Sequence, residues 1–162
     1  MKTEYMAIAV LTVGLAACGS NPPSSAQVNT CTVLTDPPTP TQAAIDAANC
    51  PNNTNTYLSA VFDGDNKPVG VGGGTDAGTG NKNDKKVNAG QNICWVAMTE
   101  SGAASGVKFD VLFSPSQKPT ANQPYESVEI SPHAQSKIAY KYTIWTDSTD
   151  DCNFLDPRFF VN

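Results

Sequence analysis

Apolar and polar positions keep different periods along this chain. Residues 107–113, VKFDVLF, alternate: Val107, Phe109, Val111 and Phe113 fall on one side, Lys108, Asp110 and Leu112 on the other. That period of two marks a strand with one buried face. The run 92–98, NICWVAM, is short, apolar and aromatic and also predicts a strand. So do YLSAVF at 57–62, which ends in the turn DGDNKP, and YESVEI at 125–130. The stretch KIAYKYTIWT puts Ile138, Tyr140, Tyr142 and Ile144 on one face, and LDPRFFV closes the chain. About five or six strands separated by turn signals predict an all-β, antiparallel β-sandwich.

Helical signals are confined to one place. In TPTQAAIDAAN, Thr39 is placed as an N-cap, Pro40 as the first helical residue and Gln42 three residues after the cap. That capping-box pattern predicts one short helix of about two turns near the N-terminus. The glycine-rich stretch 69–86 carries little apolar content and predicts a long, mobile loop, while SPSQKPTANQP at 114–124 predicts a Pro-rich one.

The first residues follow another logic. Lys2 precedes an apolar run from Met6 to Leu15, which ends in Leu15-Ala16-Ala17-Cys18. A run of about ten residues is half of what a bilayer crossing needs and suits an export signal. The four-residue box resembles the lipobox of bacterial lipoproteins. The resemblance implies a signal peptide at 1–17, lipidation of Cys18 and a membrane partner through that lipid. Gly19 follows Cys18 where inner-membrane retention would favour aspartate, so the resemblance to Gram-negative lipoproteins implies the outer membrane, with the domain periplasmic or surface-facing. Residues 18–30 then read as a lipidated tether, 31–56 as a disulfide-stapled loop with the short helix, and 57–162 as the sandwich domain.

A formal net charge of −5 and a single arginine, Arg158, argue against a nucleic-acid partner. With Cys18 assigned to lipid, Cys31, Cys50, Cys94 and Cys152 remain, an even number that predicts two disulfides in an exported chain. Sequence alone permits three pairings. Cys31–Cys50 is favoured because the two flank the short helical unit, which leaves Cys94–Cys152.

Gly90 ahead of Asn92-Ile93-Cys94-Trp95, the F-x-V-x-F strand, then Y-x-Y-T-I, a turn and L-D-P-R-F-F-V resemble small bacterial cupredoxin-like proteins over residues 85–162. The resemblance implies a cupredoxin-like sandwich, with an immunoglobulin-like one as the neighbouring possibility, and a hairpin formed by the last two strands. It does not bring copper with it. A blue-copper site requires two histidines and a cysteine, whereas His133 is the only histidine. Cys152 is therefore expected in a disulfide, with no metal and no cofactor.

The same lone His133, in a polar turn after Pro132, argues against a histidine-based catalytic relay. Asp63 with Asp65, and Asp147 with Asp150 and Asp151, lack EF-hand spacing and read as solvated turn residues. No phosphate-loop motif is completed. Trp145 has the opposite parity to Tyr140 and Tyr142, which suits either a partner anchor or second-sheet packing. The expectation is a non-enzymatic, lipid-anchored binding or structural module of the cell envelope with an envelope or host protein as partner. The alternative is an inhibitor of lysozymes or proteases acting through the glycine-rich 70–90 segment or the 114–124 loop. A degenerate hydrolase or redox protein is the weakest reading.

Overall fold

Strand-forming apolar runs dominate the computed structural model, which describes residues 31–113, 121, 123–147 and 151–162. Cys18, the signal at 1–17 and the whole 18–30 tether lie outside the described residues, as do 114–120, Asn122 and 148–150. The elements in chain order are α1 (Gln42–Ala47), β1 (Thr56–Phe62), β2 (Pro68–Gly73), β3 (Thr75–Asp76), β4 (Lys85–Val87) and β5 (Asn92–Thr99). They continue with β6 (Asp110–Leu112), β7 (Tyr125–Glu129), β8 (Ala139–Lys141), β9 (Thr143–Trp145), β10 (Phe154–Leu155) and β11 (Arg158–Val161).

The molecule is an all-β sandwich. One layer has the order β2-β1-β5-β7, with β1 and β5 parallel and the other pairs antiparallel. The facing layer combines β3-β4-β11-β8 with β10-β9-β6, again with one parallel pair, β4 with β11. These two sets share a long hairpin. Arg158 pairs with Lys141 in β11–β8, and Leu155 pairs with Ile144 in β10–β9, in one unslipped register. Between them Tyr142 N–H donates to Pro157 O at 3.1 Å. Pro157 has no N–H to return, so the ladder lapses there and resumes on either side.

The core lies between the layers. Trp95, Phe109, Tyr142, Ile144 and Phe159 are all buried within it. Tyr142 and Phe159 stack at 4.4 Å between ring centroids, and Trp95 meets them at 5.5 and 5.6 Å. Val107, Phe109, Val111 and Phe113 all pack on this core. The facing run does not stay buried along its length. Tyr142 and Ile144 are buried, yet Ile138 is 41% and Tyr140 36% exposed. β9 is flanked by β10 and β6, whereas β8 pairs only with β11 among the described strands.

The glycine-rich stretch is only in part the loop expected from its composition, since residues 77–84 lie outside strands while those before and after them are paired. Residues 68–73 form β2, paired with β1 from Leu58↔Gly73 to Phe62↔Pro68. The glycines are required because a proline-rich strap, residues 32–40, crosses this strand. A Cβ on Gly72 would sit 2.0 Å from Pro38 O, and one on Gly70 2.9 Å from Pro37 Cβ. Buried Ser59 locks the crossing, donating to Pro38 O at 2.5 Å and accepting from Gly72 N–H at 2.9 Å. Gly73 and Gly74, at φ +73° and +61°, then turn the chain from β2 into β3. Strap and glycine strand are complementary in sequence because they touch.

The helix starts two residues later than its capping pattern suggested. Thr41 is the N-cap and accepts from Ala44 N–H at 3.2 Å, while Pro40 stays in the strap beside Gly73. Ala44 and Ala48 pack on Val96 and Met98.

That packing overturns the expected disulfides. Ile93, Trp95 and Ala97 of β5 face the main core, so the alternate positions Cys94, Val96 and Met98 face the helix. Cys50 follows the helix directly and bonds to Cys94. Cys31 opens the strap and bonds to Cys152, ahead of β10, which contacts β2. The pairs are therefore Cys31–Cys152 and Cys50–Cys94, not Cys31–Cys50 and Cys94–Cys152.

Candidate functional site

Where β7 and β8 leave the two layers unclosed, an apolar cleft of about 190 Å³ opens beside the core. Strand register builds its walls. Val128 is paired with Ile93 and Tyr140 with Phe159, and paired residues share a face. Val128 and Tyr140 therefore extend the core faces of their layers out to the edge. Phe113, Ile130, Ala134 and Val161 add apolar lining, and Glu129 and Ser131 contribute its polar rim. The turn after β7 brings Ala134 in through its N–H to Ser131 O at 2.9 Å. Tyr140 is oriented by a hydrogen bond from Gln135 N–H to its Oη at 3.1 Å.

Polar chemistry near this edge is sparse. Glu126 pairs with Trp95 and shares its inward face. Burial raises its carboxyl above the ordinary value, the Ser127 N–H opposes that, and the Asp110 charge adds to it. Among the described residues, the buried Trp95 Nε1 and Tyr142 Oη have no hydrogen-bond partner. Burial pushes the Tyr142 phenol strongly upward, with the neighbouring Trp95 indole pulling the other way. The cleft is smaller than the 300–1,000 Å³ or so of ordinary ligand pockets and suits one apolar side chain or a group of that size.

The residues singled out in the sequence are scattered. His133 is exposed in the turn beside the cleft, where its N–H bonds to Ser131 Oγ at 3.2 Å. Trp145 is half-buried on β9, the middle strand of its set, paired with Asp110 and Phe154. It is remote in register from Tyr140. Asp63 shapes its turn by accepting from Asp65 N–H and Lys67 N–H, each at 2.9 Å. Asp147 and Asp151 are exposed, and no three His, Cys, Asp or Glu among the described residues are grouped to hold a metal. Of the 70–90 segment, β2 is buried beneath the strap, while residues 77–84 form a loop that is exposed at 78–82.

Sequence reading missed the most buried charge. Asp84 is 0% exposed and accepts from Arg158 Nη2 at 2.6 Å, Arg158 N–H at 3.2 Å and Thr79 Oγ1 at 2.8 Å. Asp84 in turn raises the Arg158 guanidinium. The clue lay in a lone arginine beside a core strand, but its partner is 74 residues away. This pair fixes the loop between β3 and β4 to β11. No family model, curated protein or solved structure matches the chain.

Proposed function

We propose that the protein is a lipid-anchored, non-enzymatic module of the cell envelope that binds a partner protein through an apolar side chain. The cleft between β7 and β8 carries this reading. Its surface is mostly apolar, it is the size of a side chain, and Tyr140, 36% exposed, is part of its wall. Aromatic anchors next to a preformed pocket are the common core of protein interfaces. Anchorage rests on the likeness of Leu15-Ala16-Ala17-Cys18 to a lipobox.

Replacing Tyr140 with a photoreactive phenylalanine derivative in cells tests the binding surface. Illumination should yield one discrete adduct from position 140 and none from Lys108, an exposed position that does not line the cleft. An adduct from position 145 but not 140 would move the interface to Trp145, and none from either would end the proposal. Labelled palmitate should enter the wild-type chain and fail to enter Cys18→Ala.

A further inference from the structure

The two disulfides sit in opposite settings. Cys94 is fully buried in β5 and Cys50 packs with it under the helix. Cys31 is exposed, and Cys152 is half-buried in a turn. Cys31–Cys152 also fastens the start of the strap, three residues before Leu34 N–H bonds to Val69 O at 2.7 Å. That bond covers the outer edge of β2, and Asn83 Oδ1 covers the next position by accepting from Val71 N–H at 2.6 Å. A strand edge left uncovered is a template for pairing with another chain.

We propose that Cys31–Cys152 is a reducible latch that holds the strap over the β2 edge, while Cys50–Cys94 is a permanent staple. The co-reactant is a dithiol. One of its thiolates attacks the sulfur of Cys31, the more exposed residue of the pair, and Cys152 leaves as a thiolate and takes a proton from water. The second thiol of the reductant then resolves the mixed disulfide, Cys31 leaves and is protonated, and the reductant ends as a disulfide. Two electrons pass to the protein and none is unaccounted for. Access to sulfur governs the order of reduction, so the Cys31–Cys152 bond opens first. Opening it frees the strap as far as Leu34. The Pro38–Ser59 crossing and the Cys50–Cys94 staple keep the rest in place. The inference is independent of the β7–β8 cleft, which lies at the other edge of that layer.

The experiment is a dithiothreitol titration of the full-length protein under native conditions, with alkylation and peptide mapping at each step. Cys31 and Cys152 should become labelled at a reductant concentration ~10-fold below that needed for Cys50 and Cys94. Hydrogen exchange at the Leu34 amide should rise at that step, with the β5 amides unchanged. Simultaneous labelling of all four cysteines overturns the proposal. So does an unchanged Leu34 amide, or a global rise in exchange when the first bond opens. The Cys31→Ser/Cys152→Ser variant should show the fast Leu34 exchange without reductant, and the titration of the native chain stands whether or not that variant folds.

Discussion

Arg158 donates from Nη2 to the buried carboxylate of Asp84 at 2.6 Å, across 74 residues of chain. The Arg158 backbone N–H and Thr79 Oγ1 complete the shell around that carboxylate. Removing the acceptor takes away the partner that these three donors share, although Thr79 and the Arg158 side chain are themselves exposed to water. Asp84→Ala should cost about 1.5–3 kcal/mol in denaturant unfolding, the scale of lost hydrogen bonds to a charged group. The loop between β3 and β4 should then exchange its amides faster than β5 does. A loss within the range of ordinary surface substitutions would show the network to be incidental.

Gly72→Ala tests the strap. Its Cβ would fall 2.0 Å from a backbone oxygen and 2.5 Å from Ser59 Oγ, and neither the strap nor β1 is a flexible side-chain end. Overpacking of this kind costs about 1–3 kcal/mol. Gly64→Ala and Gly106→Ala meet nothing within 4 Å and should stay within about 0.5 kcal/mol of wild type. Equal midpoints for Gly72→Ala and Gly106→Ala would deny the crossing.

Non-reducing digestion should release a Cys31–Cys152 peptide and a Cys50–Cys94 peptide. In the chain-entropy picture a bridge closing 44 residues stabilises by about 4 kcal/mol. The double variant Cys50→Ala/Cys94→Ala should unfold at markedly lower denaturant. A Cys31–Cys50 peptide would contradict the fold around α1.

Glu126 sets a pH dependence. Its folded carboxyl titrates above the unfolded one because it is partly buried, so the native state binds more protons than the unfolded state between the two values. Stability contributed by this residue therefore falls as pH rises from the ordinary carboxylate range through the raised one. Above that window the penalty is complete. Glu126→Gln should raise the urea midpoint at about pH 7 and lose that advantage near pH 4. An advantage that grows as the solution is acidified would reverse the assignment.

The Gly72 prediction also marks how far composition misleads. Glycine is a poor strand former by propensity, because it forfeits backbone entropy and packs no side chain. Residues 69–74 therefore read as loop. Their use is visible only once Pro37 and Pro38 are seen lying on them, a contact more than thirty residues away in sequence. The cleft was hidden for a similar reason. Ile138 and Tyr140 keep the same period as Tyr142 and Ile144, and alternation assigns all four to one face. It cannot tell that the neighbouring strand β6 pairs with β9 and stops short of β8.

What the sequence determined by itself is the part fixed by local periodicity. The strands β1, β5, β6, β7, β8 with β9, and β11, the inward set Phe109, Val111, Tyr142 and Ile144, and the turn at Asp63 follow from apolar patterning and turn chemistry between near neighbours, whereas β2, β3 and β4 do not. The all-β sandwich follows from their number. Pairing was decided by the tertiary structure alone. Cys94 joins Cys50 because α1 covers the outer face of β5, and Asp84 meets Arg158 because β4 and β11 lie side by side. These are contacts between segments far apart in the chain, and a one-dimensional pattern carries no register between them. The final stretch YKYTIWTDSTDDCNFLDPRFFVN shows both halves of the lesson. Its alternation announced a hairpin, and only the fold revealed that Cys152 at its turn reaches back to Cys31.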